Sequence, residues 1–210
     1  LSIRRQRQMC IRDSSTFHGC PAHEIEAIAR FLMEEEGLHV TVKLNPTLLG
    51  REAVDGLLHD VLGYREVETR PEDFERDLQW QAALEMIDRL VERGRALGRV
   101  FRLKLSNTLV VRNHRRFFPS SEQVMYLSGA PLHVITLGLL ERLRRARPDV
   151  PLSFSAGADN RNFPDCVALG LAPVTTCTDL LKPGGYGRLP KYLDNLAERM
   201  SALDLSLIHI

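Results

Sequence analysis

Five short polar motifs hold the residues of this chain that could do chemistry. They are His18-Gly19-Cys20-Pro21, Lys43-Leu44-Asn45-Pro46, Lys104-Leu105-Ser106-Asn107-Thr108, Ser155-Ala156-Gly157-Ala158-Asp159 and Thr176-Cys177-Thr178-Asp179. Lysine is scarce: only Lys43, Lys104, Lys182 and Lys191 occur among basic residues that are otherwise arginine. A lysine beside such a motif can hold an anionic cofactor, form a Schiff base, or lay its stem along apolar surface. His18, Cys20 and His23 have the spacing H-x-C-x-x-H, but no fourth ligand is evident, and Pro21 and His23 open a helix, so no metal is expected. Cys166 reads as a core thiol. Cys177, between two threonines, is either a core residue or a backbone contact for phosphate. His39 and His59 lie inside elements and read as structural, whereas His133 stands beside Ser128-Gly129 at a helix start.

These motifs need elements to carry them, and the hydrophobic pattern supplies an alternation of strands and helices. Ile25, Ile28, Ala29, Leu32 and Met33 share one helical face, with Pro21 at its start and Gly37 at its stop. Residues 38–44 alternate as a strand, and Val54, Leu57, Leu58, Val61 and Leu62 return to helical spacing before Gly63. A weaker strand is expected over 64–69, a long helix over 78–97, and a strand over 100–105. Residues 107–129 form a long polar stretch with Arg112, His114, Arg115 and Arg116, read as either a basic lid over an anionic substrate or a solvated loop. A helix over 132–145, a strand over 150–155, a short helix over 163–169, a strand over 173–178 and a helix over 192–203 complete the order. Strands alternating with helices imply βαβ units around a parallel sheet.

With a strand stub at 15–17, the count is about six of the eight units of a TIM (β/α)8 barrel, an incomplete α/β barrel. A doubly wound sheet is the alternative, but no strand is followed by G-x-G-x-x-G. In parallel barrels the working residues lie where strands end and lead into helices. All five polar motifs fall at such ends, while the strand starts have none. Lys43 and Lys104 share that placement, and Lys182 follows it closely.

The chain has 210 residues, 44% hydrophobic, with 28 basic against 27 acidic side chains. Such a balance gives no reason to expect nucleic-acid or membrane-surface binding, and no apolar run is long enough for a membrane span. The ends differ from the rest. Met9-Cys10-Ile11-Arg12-Asp13-Ser14 can be encoded by ATG TGT ATA AGA GAC AG, and Leu205-Ser206-Leu207-Ile208-His209-Ile210 by CTG TCT CTT ATA CAC ATC. Over their shared length these strings are reverse complements, as the inverted transposon end of a sequencing adapter would be. Residues 1–14 and 205–210 are therefore expected to be adapter-derived, leaving 15–204 as the barrel domain. Without Arg4, Arg5, Arg7, Arg12 and Asp13 the domain turns slightly acidic, and the apparent basic arm disappears.

In order along the chain, T-F-H-G-C-P, V-K-L-N-P-T-L-L-G, K-L-S-N-T, M-Y-L-S-G, S-x-G-A-D and D-L-L-K-P-G-G-Y resemble the selenate reductase-type iron–sulfur flavoproteins. These are relatives of the NADPH-dependent glutamate synthase small subunit. More distantly, the order is similar to the flavin-mononucleotide barrel of dihydroorotate and dihydropyrimidine dehydrogenases. The resemblance implies a cytoplasmic oxidoreductase in which this barrel could hold FMN. FAD, NAD(P)H and [4Fe-4S] clusters would belong to other domains of a longer chain, and a small molecule would be the substrate. It further implies that Lys43 sits near the flavin ring and that Asn45, Asn107 and Thr108 face the ring or substrate. Gly129 would make room for the cofactor, and Gly157, Ala158, Thr176 and Cys177 would offer backbone N–H groups to its phosphate. Lys43, Asn107 and Cys20 are the catalytic candidates. Ala156 replaces the first glycine of the family's S-G-G-A-D, a costly change if that backbone needs positive φ. A Schiff-base aldolase using Lys43 or Lys104, and a non-catalytic barrel scaffold, are the alternative readings.

Overall fold

Alternating apolar residues in two short runs, Val40-Val42-Leu44 and Phe101-Leu103-Leu105, form the centre of a parallel sheet. The computed structural model describes residues 11–15, 19–114 and 118–204, with side chains from residue 19 onward. The first half runs β1 (Ile11–Ser15), α1 (Ala22–Glu34), β2 (His39–Leu44), α2 (Arg51–Gly56), α3 (Pro71–Arg76) and α4 (Trp80–Ala96). The second runs β3 (Phe101–Leu105), β4 (Leu109–Arg112), β5 (Val124–Leu127), α5 (Ala130–Ala146), β6 (Leu152–Phe154), α6 (Phe163–Ala168) and α7 (Leu189–Ala202).

The strands β1, β2, β3 and β6 lie side by side in that order, all parallel. Beyond β6, Val174 makes a single parallel bridge to Phe154. Neighbours in space thus follow neighbours in sequence, as in a sector of a barrel wall. One face of this sector is apolar. Val42, Leu44, Leu103, Leu105 and Phe154 are fully buried with Met86, Ile87 and Leu90 of α4 and Ile135 and Leu139 of α5 in one core cluster. Side chains alternate across a strand, so the opposite, inward face of the barrel wall carries Thr41, Lys43, Arg102, Lys104 and Ser153. The register makes Lys43 and Lys104 direct cross-strand partners, and Lys104 and Ser153 likewise.

Several elements depart from the sequence pattern. Residues 64–69 do not join the parallel sheet; only Thr69 bridges, antiparallel, to Val111. That run buries only Val67 and Thr69, too little for a strand that must be covered on both faces. The long polar stretch is not a plain loop. Leu109-Val110-Val111 and Val124-Met125-Tyr126-Leu127 pair as the antiparallel hairpin β4–β5. At 173–178 only Val174 pairs, beside Pro173, whose ring nitrogen has no hydrogen to donate. The expected helix at 54–62 is α2 continued by a π-helical turn over Leu57–Val61, and the long helix starts at Trp80. The first described strand is Ile11–Ser15; of the expected stub at 15–17, Thr16 and Phe17, like His18, lie outside the described residues. Four of its residues fall in the segment expected to be adapter-derived; they enter the ladder through backbone groups, which any residue supplies. Among the described residues the parallel wall thus has four strands and one bridging position, an incomplete α/β barrel.

Candidate active site at the strand ends

The carboxyl ends of the parallel strands are joined by a continuous run of hydrogen bonds. After β2, the buried Asn45 donates from Nδ2 to Asp77 Oδ2 at 3.1 Å and accepts at Oδ1 from Asn107 Nδ2 at 2.7 Å. Asn107 follows β3, and its backbone N–H donates to Leu44 O at 2.8 Å. Thr47 Oγ1 donates to Asp77 Oδ2 at 2.6 Å, and Gly19 N, in the loop after β1, donates to Asp77 Oδ1 at 2.8 Å. Ser106 shares a 2.8 Å hydrogen bond with Thr136 of α5, and Ser155, after β6, donates from Oγ to Ser106 O at 3.2 Å. The loops after β1, β2, β3 and β6 are thus tied into one rim.

Asp77 is the residue the sequence did not point to. It closes α3 and is 4% exposed. A buried carboxylate is costly unless hydrogen-bonded at its oxygens, and three donors from two strand-end loops meet that requirement. It lies in an Asp/Glu-rich run, Pro71 to Asp77, where no spacing distinguishes it from its solvated neighbours. Thr47, inside a buried 3₁₀ turn over Pro46–Leu49, was equally silent.

The other side of the rim is built from small residues. Gly157 has φ +56° and Gly129 φ +72°. A Cβ on Gly157 would lie 2.2 Å from Gly129 O, so the two turns pack backbone on backbone. Gly129 is buried, and its carbonyl accepts from the His133 backbone N–H at 3.1 Å. Among the described residues the only non-glycine with positive φ is Asp204, so Ala156 carries no left-handed strain. Its buried methyl joins the core, and its carbonyl meets His133 Nδ1 at 2.8 Å. His133 also stands edge-on to Phe154, which settles the histidine as a brace between α5 and β6.

Thr176 Oγ1 donates to Ala158 O at 2.8 Å and lies 3.1 Å from Tyr192 Oη, so the segments at 156–158 and 174–177 adjoin. Tyr192 also donates to Asp179 Oδ2 at 2.9 Å. Asp179, 3% exposed, accepts from Arg188 Nη2 at 2.9 Å and Lys182 Nζ at 3.1 Å. The Arg188 guanidinium above all, helped by the Tyr192 hydroxyl and Lys182, holds its carboxyl down to about 2. Lys182 is therefore tied to Asp179, and Lys191, exposed on α7, lies 3.9 Å from Glu198.

Lys43 and Lys104 stand half-buried on the inward face one residue before the apolar strand ends Leu44 and Leu105. Thr108 is half-buried between Asn107 and β4. Cys177 is exposed just before the 3₁₀ turn over Thr178–Leu181. Cys20 is half-buried at the start of α1, where burial first and the Glu24 carboxylate second push its thiol up; an activated nucleophile shifts the other way. Cys166 is buried, and burial pushes its thiol up to about 11. Among the described residues no group of three or more His, Cys, Asp or Glu side chains could hold a metal, and no helix is long and apolar enough to cross a membrane.

Residues 6–209 match the family model described as oxidoreductase YgfK, N-terminal TIM-barrel domain. The chain is 44% identical over 176 residues to "Putative oxidoreductase YgfK" of Escherichia coli strain K12, a match that takes in 83% of this chain and 17% of the relative. The protein of the same name from Escherichia coli O157:H7 matches over the same shares. The chain thus spans about a sixth of the length of these relatives.

Proposed function

Since the chain belongs to the family of the oxidoreductase YgfK N-terminal TIM-barrel domain, we propose that it is the flavin-mononucleotide barrel of a multidomain oxidoreductase of the selenate reductase-like, iron–sulfur flavoprotein type. Residues 15–204 make up this domain, and 1–14 and 205–210 are appended sequence. In this reading FAD, NAD(P)H and [4Fe-4S] clusters are served by other domains of a longer cytoplasmic protein, which are its partners together with a small-molecule substrate.

The observation that carries the reading is the convergence of strand-end residues on one rim: Asn45 and Asn107 hydrogen-bonded to each other, and the 156–158 and 174–177 segments pinned together by Thr176. The residues present suit a flavin mononucleotide in charge and in hydrogen-bonding groups. Lys43 and Lys104, paired in register, place two ammonium groups on the inward face for an anionic ring edge. Gly157, Ala158, Thr176 and Cys177 keep bulk away from a phosphate, which backbone N–H groups then reach. When bound, a flavin supplies hydride and single-electron transfer; the protein supplies binding, orientation and electrostatics. Lys43 stabilises negative charge at the site, Asn107 orients the ring or substrate through its amide, and Thr108 lines the same loop. Cys20, with its thiol pushed up, would have to act as a proton donor rather than as a thiolate.

The test is a titration of the purified chain with riboflavin 5′-phosphate, followed by flavin fluorescence and visible absorbance. Saturable binding, weakened at least about tenfold by Lys43→Met through loss of a charge-assisted contact, is expected. A folded chain that leaves the flavin spectrum unchanged at concentrations up to about 1 mM overturns the reading.

A further inference from the structure

The rim contains a directional device that its flavin-facing residues do not explain by themselves. A carboxylate can only accept hydrogen bonds, whereas a carboxamide has one accepting and one donating end. Asp77 accepts at Oδ1 from Gly19 N and at Oδ2 from Thr47 Oγ1 and Asn45 Nδ2. With its donating end committed to Asp77, Asn45 must turn Oδ1 to Asn107, and Oδ1 indeed accepts from Asn107 Nδ2 at 2.7 Å. Asn107 then has its NH2 directed back along the rim. Asn45 thus bonds directly to a carboxylate on the α3–α4 connection, and Asn107 joins the run one link further on.

We propose that Asp77 is a positioning residue that sets the amide orientation of Asn107 through Asn45. Its geometry supports this role over simple loop stapling. Gly19 and Thr47 would staple the loops after β1 and β2 without Asn45, yet Asp77 Oδ2 is shared between Thr47 and Asn45. Asn45 is 6% exposed, and Asn107 Nδ2 approaches it more closely than Asn45 approaches Asp77. Burial strengthens such a chain and makes a reversed amide costly, because two donors or two acceptors would then face each other. The functional consequence, a correctly turned Asn107 at the ligand, rests on the flavin reading above; the orientation itself does not.

Two variants separate the role from stability. Asp77→Asn removes the acceptor-only group, whereas Thr47→Val removes a hydrogen bond to the same oxygen and leaves the Asp77–Asn45–Asn107 run intact. The readout is hydrogen exchange of the Asn45 and Asn107 side-chain amides by NMR on the 15N-labelled chain, with flavin affinity measured beside it. Asp77→Asn should speed exchange at Asn107, two links away, by about tenfold or more, the weight of one charge-assisted hydrogen bond. Thr47→Val should leave Asn107 exchange within about twofold of the parent. Flavin affinity should fall in parallel with Asn107 protection. If Asp77→Asn does not fold, Asp77→Glu, which displaces the carboxylate by one methylene, should show the same loss. Unchanged Asn107 exchange in a folded Asp77 variant overturns the proposal. Loss of Asn107 protection in Asp77→Asn, where the parent is protected yet binds no flavin, would leave the positioning role standing and defeat the flavin reading alone.

Discussion

Substituting Gly157 by alanine tests the packing of the rim most severely, because the structure separates two costs that usually come together. Gly157 has φ +56°, and a Cβ there would lie 2.2 Å from Gly129 O and 2.6 Å from Gly129 C. The left-handed backbone alone costs an alanine about 1–2 kcal/mol. The overlap is with backbone atoms, which cannot swing aside as a side chain would. Relieving it requires the Gly157 and Gly129 turns to part by more than 1 Å, since ordinary contacts of a Cβ begin near 3.4 Å. Overpacking of this kind adds about 1–3 kcal/mol. Gly170→Ala is the matched reference: its φ is +70°, and nothing lies within 4 Å of the added methyl. It should show only the backbone cost. Urea unfolding followed by circular dichroism should therefore place Gly157→Ala about 2–5 kcal/mol below the parent and Gly170→Ala about 1–2 kcal/mol below it. Equal losses for the two variants would refute the close backbone contact between the 129 and 157 turns.

Other consequences are simpler. Leu103→Ala, at the fully buried centre of the sheet, should cost about 2–5 kcal/mol in urea unfolding; a loss under about 1 kcal/mol would mean the helices do not cover that face. Ala156→Gly should leave flavin affinity unchanged, because Ala156 has no positive φ to relieve, and should lower stability by about 1 kcal/mol; tighter binding would contradict this. Asp179 has a carboxyl held at about 2, below the unfolded value of about 3.9. Its contribution, about 2 kcal/mol, is complete above the unfolded value and is lost as pH falls toward about 2. The gap in stability between the parent and Asp179→Asn should therefore close between pH 4 and 2, at roughly the two carboxyl values involved; a gap independent of pH would place the effect elsewhere.

Much of this architecture was legible in the residues, and the parts that were not have a common cause. The helices at 22–34, 80–96 and 130–146 announce themselves because each must bury one stripe, and stripes leave a 3.6-residue period. Strands β2 and β3 are equally clear, since Val40, Val42 and Leu44 or Phe101, Leu103 and Leu105 face the helices while lysine and arginine face inward. Residues 64–69 mislead because alternation of charged and apolar residues suits a turn with one buried valine as well as a strand. The β4–β5 hairpin was hidden by the polar residues between its strands, although its two apolar runs lie within that stretch. At the rim, Lys43, Asn45, Asn107, Gly157 and Thr176 were visible because strand ends concentrate polar and small residues in motifs. Asp77 was not, because its partners Gly19, Thr47 and Asn45 come from distant loops, and no local pattern records a contact made across 30 or more residues. The glycine doubt at position 156 dissolved for a related reason: the positive φ sits one residue later, at Gly157.

The proposed function rests on a flavin mononucleotide occupying the strand-end rim, and the most direct measurement is a map of backbone and side-chain amide shifts as riboflavin 5′-phosphate is added to the 15N-labelled chain. The account predicts that the largest changes fall at Lys43, Asn45, Asn107, Thr108, Gly157, Ala158, Thr176 and Cys177. The helix-lined groove around Leu57, Trp80 and Arg142, on the outer side of the wall, should stay silent. Changes confined to that groove, or spread evenly over the surface, would contradict it.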